Sequence, residues 1–431
     1  MLPPAIDDCF AYDDRRLTHY EALSLLKARV APVASTEVVA LRHAGGRRVA
    51  TSIAAAMPVP AHTNSAVDGY AFAHSGYDRA GGTSFEISGR AAAGRPLSDA
   101  LLAKAAARIF TGAVMPAGAD TVAMQEDCHV DSGRVTIPGG LKAGANVRRA
   151  GEDLAAGTPL FEPGHRLRPQ DLAALASIGQ ASVTCFRRLR VAVVASGDEI
   201  IAPGETTLRP GQVHDANTPM LRDLVELAGA EVECLGIWRD DAEIVRSKLS
   251  AAAAAHDVVL TTGGASRGDE DHMGGALAAL GSRHFWQLAV KPGRPMMFGQ
   301  IARPSEPLLP PCVVVGLPGN PVAVFVCYLM YVYPLLHRLG GGHWLEPRRY
   351  KLSAAFDFKG RKPGRREFWR GCLVDGAGGL GVDKFARDGS GLISGLRAAD
   401  GLIDIPEDAG DVARGDLVDY IPFSEFGILS N

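Results

Sequence analysis

The chain of 431 residues has few cysteines, and none of them form an obvious set: seven, at positions 9, 128, 185, 234, 312, 327 and 372, with an odd total and no close pair. That arrangement excludes a disulfide framework and a zinc ribbon, and it suits a reducing compartment. Excess basic charge is also missing. The formal net charge of -3 gives no broad footprint for nucleic acid. The clusters Arg187-Arg188-Leu189-Arg190, Arg348-Arg349 and the stretch 359–370 read as solvated or salt-bridged faces. The start, Met1-Leu-Pro-Pro-Ala-Ile-Asp-Asp, lacks the basic and apolar blocks of a signal peptide, so a cytoplasmic location is expected. The strongly apolar stretch 322–336 is too short to span a membrane and contains Tyr328, Tyr331 and Pro334, so a buried helix is expected there. The chain has no GxSxG nucleophile turn, no phosphate loop ending in Lys-Ser/Thr, no GxGxxG fingerprint and no His-x-x-x-His pair.

Repeated strand-to-loop passages are present instead. Val191-Ala-Val-Val-Ala-Ser-Gly-Asp-Glu-Ile200 is an apolar, β-branched run that breaks into polar residues. His256-Asp-Val-Val-Leu-Thr-Thr-Gly-Gly-Ala265 ends in paired glycines, and Cys312-Val-Val-Val-Gly-Leu-Pro-Gly-Asn-Pro321 ends in a stiff turn. Helix-like stretches at 218–228 and 241–255 separate the first two. Strands alternating with helices imply a mostly parallel sheet covered on both faces, with ligands beyond the carboxyl ends of its strands.

The flanks differ from this centre. Residues 14–31 form an amphipathic pattern that Pro32 ends, a strand is expected at 36–40, and 169–179 has Pro at its start and Gly at its end, as a helix does. From 84 to 140 short apolar runs bounded by Gly and Pro read as a β-rich module, and the segment after 341 reads as a small all-β unit. A length of 431 residues suits two to four domains.

Carboxylates in glycine-lined turns carry the strongest chemical signal: Asp68, Asp153, Asp198, Glu199, Asp240, Asp269, Glu270 and Asp271. Several of them share one pocket only if a divalent cation offsets their repulsion, and magnesium suits hard oxygen ligands beside a phosphate. The alternative is that each caps a helix or bonds nearby amides. Gly263-Gly264-Ala-Ser266 after a strand is either a phosphate-approaching backbone or a tight turn. Lys291-Pro-Gly-Arg-Pro295 puts two cations in a stiff loop suited to an anion. Leu317-Pro-Gly-Asn-Pro321 starts an apolar helix. Cys327 reads as core, and His214 and His256 need no metal.

Taken together, these motifs resemble the MoeA family, the molybdopterin molybdenumtransferases, related to the C-terminal domain of gephyrin. The resemblance covers nearly the whole chain. It rests on Asn64-Ser-Ala-Val-Asp-Gly-Tyr-Ala71, Phe110-Thr-Gly-Ala113, Gly151-Glu-Asp153, Ser196-Gly-Asp-Glu199, Asp215-Ala-Asn217, Gly236-Ile-Trp-Arg-Asp240, Thr262-Gly-Gly-Ala-Ser-Arg-Gly-Asp-Glu-Asp271, Lys291-Pro-Gly-Arg-Pro295 and Leu317-Pro-Gly-Asn-Pro321, in shared order and spacing. Val67 stands where Met is common, Ser196 replaces Thr, Arg267 takes an ordinarily apolar place and Gln287 stands where some relatives carry Lys.

The resemblance implies an enzyme that inserts molybdenum from molybdate into adenylylated molybdopterin with release of AMP, using magnesium. The expected fold is multidomain α/β plus β. It comprises a discontinuous N-terminal domain (1–57 and 144–186), a β-rich inserted domain (58–143), a central three-layer α/β molybdopterin-binding domain (187–341) and a C-terminal β-barrel-like domain (342–431). A homodimer is implied, with its cleft completed by the partner subunit. Partners among molybdopterin adenylyltransferases and the molybdoenzyme maturation machinery are also implied. Carried over by position, Asp68, Thr111, Asp153, Glu199, Asp240 and Asp271 are catalytic, with Glu199, Asp240 and Asp271 holding the metal. Gly263, Gly264, Ser266, Lys291, Arg294, Pro318 and Pro321 line the pterin-phosphate or molybdate region. Two other readings are an adenylyltransferase, disfavoured by the large accessory domains and the 64–71 motif, and a pterin-binding scaffold, disfavoured by the retained carboxylates.

Overall fold

The computed structural model describes residues 16–204, 207–263, 272–303, 305–376 and 379–429. Its centre is a six-stranded sheet in the order Glu231–Trp238, Arg190–Ser196, Val258–Thr262, Cys312–Leu317, Pro295–Ile301, Ser282–Gln287. The first four strands are mutually parallel, as alternating β-branched runs and helices require. Pro295–Ile301 runs against them and Ser282–Gln287 runs against Pro295–Ile301, so these two, with Glu231–Trp238, add to the three expected strands. Pro295–Ile301 is buried along nearly its whole length, so it lacks the alternation that marks a half-exposed strand. Helices Asn217–Leu227, Ala242–Ala255 and His272–Leu280 cover the sheet, and Asp241 caps the second by accepting from the Glu243 and Ile244 amides.

The apolar stretch forms one helical rod, Pro321–Leu339, of 19 residues. Among the described residues it is the one helix long and apolar enough to cross a membrane, and 94% of its apolar window is buried inside the protein. Pro334 cannot donate to the carbonyl four residues back, and the rod widens into a π turn at Tyr328–Val332, where the Tyr333 amide reaches Tyr328 O. Its core partners come from the sheet, from the helix His19–Arg29 and from the C-terminal segment at Phe423 and Phe426. Thr18 and Glu21 form a reciprocal capping box at the start of that first helix.

Strand Thr36–Ala40 pairs antiparallel with Ser182–Phe186, and Val39, Val49, Leu167, Leu175 and Val183 share one core beneath them. Chain segments on both sides of the β-rich module therefore pack as one body. The module itself is a six-stranded sheet around Tyr70, Phe72, Phe85 and Val135. The C-terminal strands close on themselves. Arg366–Gly376 pairs with both Gly379–Lys384 and Gly401–Ile405, and the circuit is completed through Tyr350–Ala354 and Leu417–Pro422. A barrel leaves no free edge, yet this one uses an outer position of Arg366–Gly376 to bind the two-residue strand Val290–Lys291 of the α/β domain.

Candidate functional site

That interdomain strand pair forms one wall of a cavity of about 620 Å³ between the α/β domain and the barrel. Gly263 and Pro318, Gly319 and Asn320 line it from the carboxyl ends of two parallel strands, where the parallel sheet was expected to receive ligands. Lys291 to Pro295 line it from the loop between the antiparallel strands. The barrel contributes Phe368, Trp369, Arg370, Lys384, Phe385 and the turn Asp388 to Ser390. Four cations, Lys291, Arg294, Arg370 and Lys384, face one lining carboxylate, Asp388. A confined cationic wall of this kind focuses field on an anion.

Each cation is held differently. Lys291 Nζ stands 3.6 Å from Glu367 Oε2, a carboxylate buried behind the cavity wall. Arg370 is nearly buried and spends its donors on carbonyls, Nη1 to Leu392 O at 3.0 Å and Nη2 to Arg387 O at 2.7 Å. Burial pulls its pKa below the ordinary guanidinium value, an effect Asp388 partly opposes. Lys384 donates to Asp388 Oδ1 at 2.6 Å and lies over the Phe358 and Trp369 rings. Arg294 is exposed and makes no side-chain ion pair among the described residues. Burial would raise the Asp388 pKa, but the Lys384 bond and the charges of Lys384, Lys291 and Arg370 hold it below the usual carboxylate range.

Backbone strain shapes the same rim. Gly263 has φ +82°, and a Cβ there would lie 2.6 Å from Ser196 O, so only glycine fits beside the end of the neighbouring strand. Asn320 precedes the helical rod without a side-chain cap, and Ser390 O of the barrel accepts from the Val322 amide at 2.9 Å. The barrel thus satisfies a helix-start donor and fixes its cavity turn to the α/β domain.

Beside Gly263, the Ser196 strand end carries a group of carboxylates. Ser196 Oγ donates to Asp240 Oδ1 at 3.2 Å, and the Asp240 amide donates to Asp198 Oδ1 at 3.3 Å. Glu199 folds back over Gly197, where a Cβ would collide with it. No cation pairs with Asp198, Glu199 or Asp240 among the described residues. Exposed, unneutralised carboxylate oxygens are the donor type that a hard divalent cation takes. The described residues contain no group of three ligands able to hold a metal by themselves. Asp271, the third expected ligand, lies outside the described residues, as do Gly264 and Ser266. Asp240 is bonded to Asp198 rather than to Glu199, a pairing that the carried-over positions did not include.

Asp68 and Thr111 meet directly. Thr111 donates to Asp68 Oδ1 from both its amide and its hydroxyl, each at 2.8 Å. These two bonds, with a smaller contribution from Arg108, hold the Asp68 carboxyl below its usual pKa against the small opposing effect of desolvation. Asp153 is exposed on the neighbouring loop, where its amide and that of Leu154 both donate to Val59 O at 3.1 Å. None of the three lines the four-cation cavity of the same chain.

Comparison with known proteins shows the family of the chain. Residues 17–179 match the family model for the MoeA N-terminal region (domain I and II), 192–338 the probable molybdopterin binding domain, and 351–423 the MoeA C-terminal region (domain IV). A Haemophilus influenzae protein named molybdopterin molybdenumtransferase is 34% identical over 411 residues, covering 95% of this chain and 99% of that one. The chain belongs to the MoeA family. A relative of the same name from a Nostoc species is 37% identical over 349 residues, covering 79% of this chain and 78% of the relative. The molybdopterin biosynthesis MoeA protein of Pyrococcus horikoshii matches in structure with a TM-score of 0.80 at 27% identity, covering 95% of this chain and 100% of that one.

In this MoeA-family chain the local sequence pattern picked out Gly263, Lys291, Arg294 and Pro318, and the fold gathers these around one cavity. Pro321 begins the helical rod next to it. Sequence reading missed Arg370, Lys384, Asp388 and the aromatic wall of Phe368, Trp369 and Phe385. In sequence the stretch 359–370 reads as a solvated or salt-bridged face. Arg365 and Arg366 are indeed salt-bridged, but Arg370 faces the cavity. The one available signal was the alternation of 367–374, which puts successive residues on opposite faces of a strand. Cys327 is fully buried, with its thiol pKa pushed up by burial, as a core residue's is. His256 is satisfied by Ala252 O and Glu233.

Proposed function

We propose that this chain inserts molybdenum from molybdate into adenylylated molybdopterin, releasing AMP, as a step of molybdenum cofactor biosynthesis. The observation that carries the reading is the cavity between the α/β domain and the barrel, where four cations face one carboxylate beside flat aromatic walls. Both substrates are anions, and bringing them together is the physical difficulty. Lys291 and Arg294 would receive phosphate oxygens from one wall, and Arg370 and Lys384 would face them from the barrel. Phe368, Trp369 and Phe385 offer apolar surface to a planar ring system and exclude water, which strengthens each ionic contact. Holding both anions in one fixed enclosure replaces an encounter by a local reaction.

Magnesium, a hard cation, would take oxygen donors at the Ser196 strand end, where Glu199, Asp240 and Asp271 would hold it and Asp198 would stand beside them. When bound it would neutralise charge on the phosphoanhydride. Ser196 orients the Asp240 carboxylate through its hydroxyl. Asp68, fixed in its ionised form by Thr111, and Asp153 would enter the cleft from a second copy of the chain, orienting water or accepting a proton at their carboxylate oxygens. A homodimer in the cytoplasm, fed by a molybdopterin adenylyltransferase, completes the reading.

The test is AMP formation from purified adenylylated molybdopterin, with molybdate and magnesium each omitted in turn. AMP release that needs both supports the proposal. Turnover of ATP with free molybdopterin instead would assign the chain to adenylyl transfer.

A further inference from the structure

We infer that Glu367 of the barrel is a positioning residue for this reaction, setting where the Lys291 ammonium stands in the cavity wall. The inference rests on the reading of Lys291 as an anion-receiving group. The two residues are register partners in the parallel pair that joins the domains, Val290 opposite Arg366 and Lys291 opposite Glu367. Glu367 is 2% exposed, and its carboxylate is itself anchored. Oε2 accepts from Trp369 Nε1 at 2.9 Å and Oε1 from Arg365 Nε at 3.2 Å. Burial alone would favour the neutral acid, but the Trp369 bond, Lys291 and Arg365 outweigh it, so the group stays ionised.

Lys291 is the mobile member of this pair. Its side chain is 42% exposed toward the cavity and carries four carbons of rotamer freedom. A fixed buried carboxylate beside it therefore decides the ammonium's position. The separation of 3.6 Å is an ion pair and too long for a strong hydrogen bond, so the ammonium protons stay available to a substrate oxygen. The strand that carries Glu367 cannot slide, because Arg366 next to it is locked to Asp404 at 2.6 Å and to Glu407 at 2.9 Å. Glu367 thus converts the docking of the barrel into the placement of a charge belonging to the α/β domain.

The experiment is a double-mutant cycle on the full-length protein, using Glu367→Gln, Lys291→Ala and the double variant, read as kcat/KM for molybdate-dependent AMP release. Glu367→Gln keeps an acceptor for Trp369 and should fold. A loss of about tenfold is expected from the displaced ammonium, shrinking to about twofold or less in the Lys291→Ala background. A second readout needs no turnover: the ¹³C resonance of reductively methylated Lys291, assigned by its disappearance in Lys291→Ala, should move in Glu367→Gln. It should also move in Arg365→Gln, which loosens Glu367 from an exposed position. An unmoved resonance, or an equal loss of activity with and without Lys291, overturns the inference. Full activity of Lys291→Ala would overturn the reading of the cavity itself. Full activity of Glu367→Gln beside an impaired Lys291→Ala would overturn only the role of Glu367.

Discussion

Acidification should destabilise this protein through two buried histidines before any carboxylate is reached. His19 lies at 0% exposure with Nδ1 2.9 Å from the Tyr331 hydroxyl, and His337 at 4% with Nδ1 accepting from Arg48 Nη2 at 2.9 Å. Both rings therefore pack on or within the apolar rod. Burial lowers the His19 pKa to about 3, with Arg366 and Arg349 adding to the effect. Burial, then Arg48 and Arg166, lower that of His337 to about 2. A guanidinium only donates, so protonating His337 at Nδ1 would set two donors against each other.

Both folded values lie below the ordinary 6.5. Below that pH the unfolded chain binds protons that the folded chain refuses, so stability falls as pH falls. Between pH 7.5 and 5 each ring costs about 2 kcal/mol, at about 1.4 kcal/mol per unit below 6.5. The size of this loss is insensitive to the folded values, provided both lie well below 5. Urea unfolding at the two pH values should show a combined loss of about 4 kcal/mol. The double variant His19→Gln, His337→Gln should start less stable but have a nearly flat pH dependence in this window. An equally steep loss in the double variant would refute the reasoning.

Other consequences follow from single contacts. Gly263→Ala should lose about 2 kcal/mol or more, because its left-handed backbone and the nearby Ser196 carbonyl both oppose a Cβ. Gly319→Ala, which meets no atom within 4 Å, should stay within about 1 kcal/mol of the parent in the same denaturant assay. Asp404→Ala should cost about 3–5 kcal/mol, since it strands Arg366 and Arg349 around a fully buried position. A loss below about 1 kcal/mol would show that water reaches them. Thr111→Val should raise the Asp68 pKa toward its ordinary value by deleting the hydroxyl bond, measured by carboxyl ¹³C titration. An unchanged titration would mean that the amide bond and Arg108 suffice.

Three of the four neighbouring parallel strands were legible because β-branched runs such as Val191–Ala195 end in polar, glycine-bearing turns, whereas the fourth, Glu231–Trp238, lies at the sheet edge and is largely exposed. The antiparallel pair was hidden: Pro295–Ile301 is buried on both faces, and the Lys291–Pro295 motif drew attention to the loop rather than to the strands beside it. Lys291 and Arg294 stood out as cations in a stiff turn. Arg370, Lys384 and Glu367 did not, because their roles arise from barrel closure and from the pairing of Val290–Lys291 with a strand far along the chain. The joining of segments on both sides of the β-rich module came from family resemblance, and the structure shows its physical basis in the pairing of Thr36–Ala40 with Ser182–Phe186. Asp198 was visible as one carboxylate among many, but its contact with Asp240 needed three dimensions.

The most direct test of the whole account counts AMP released and molybdenum bound to the pterin by purified protein, for the parent chain and for a Lys291→Ala, Arg370→Ala variant that still folds. One AMP for each molybdenum inserted, with both products falling together in the variant, is the expected result. Undiminished insertion by the variant would contradict it, since the anions would then be meeting somewhere other than this cavity.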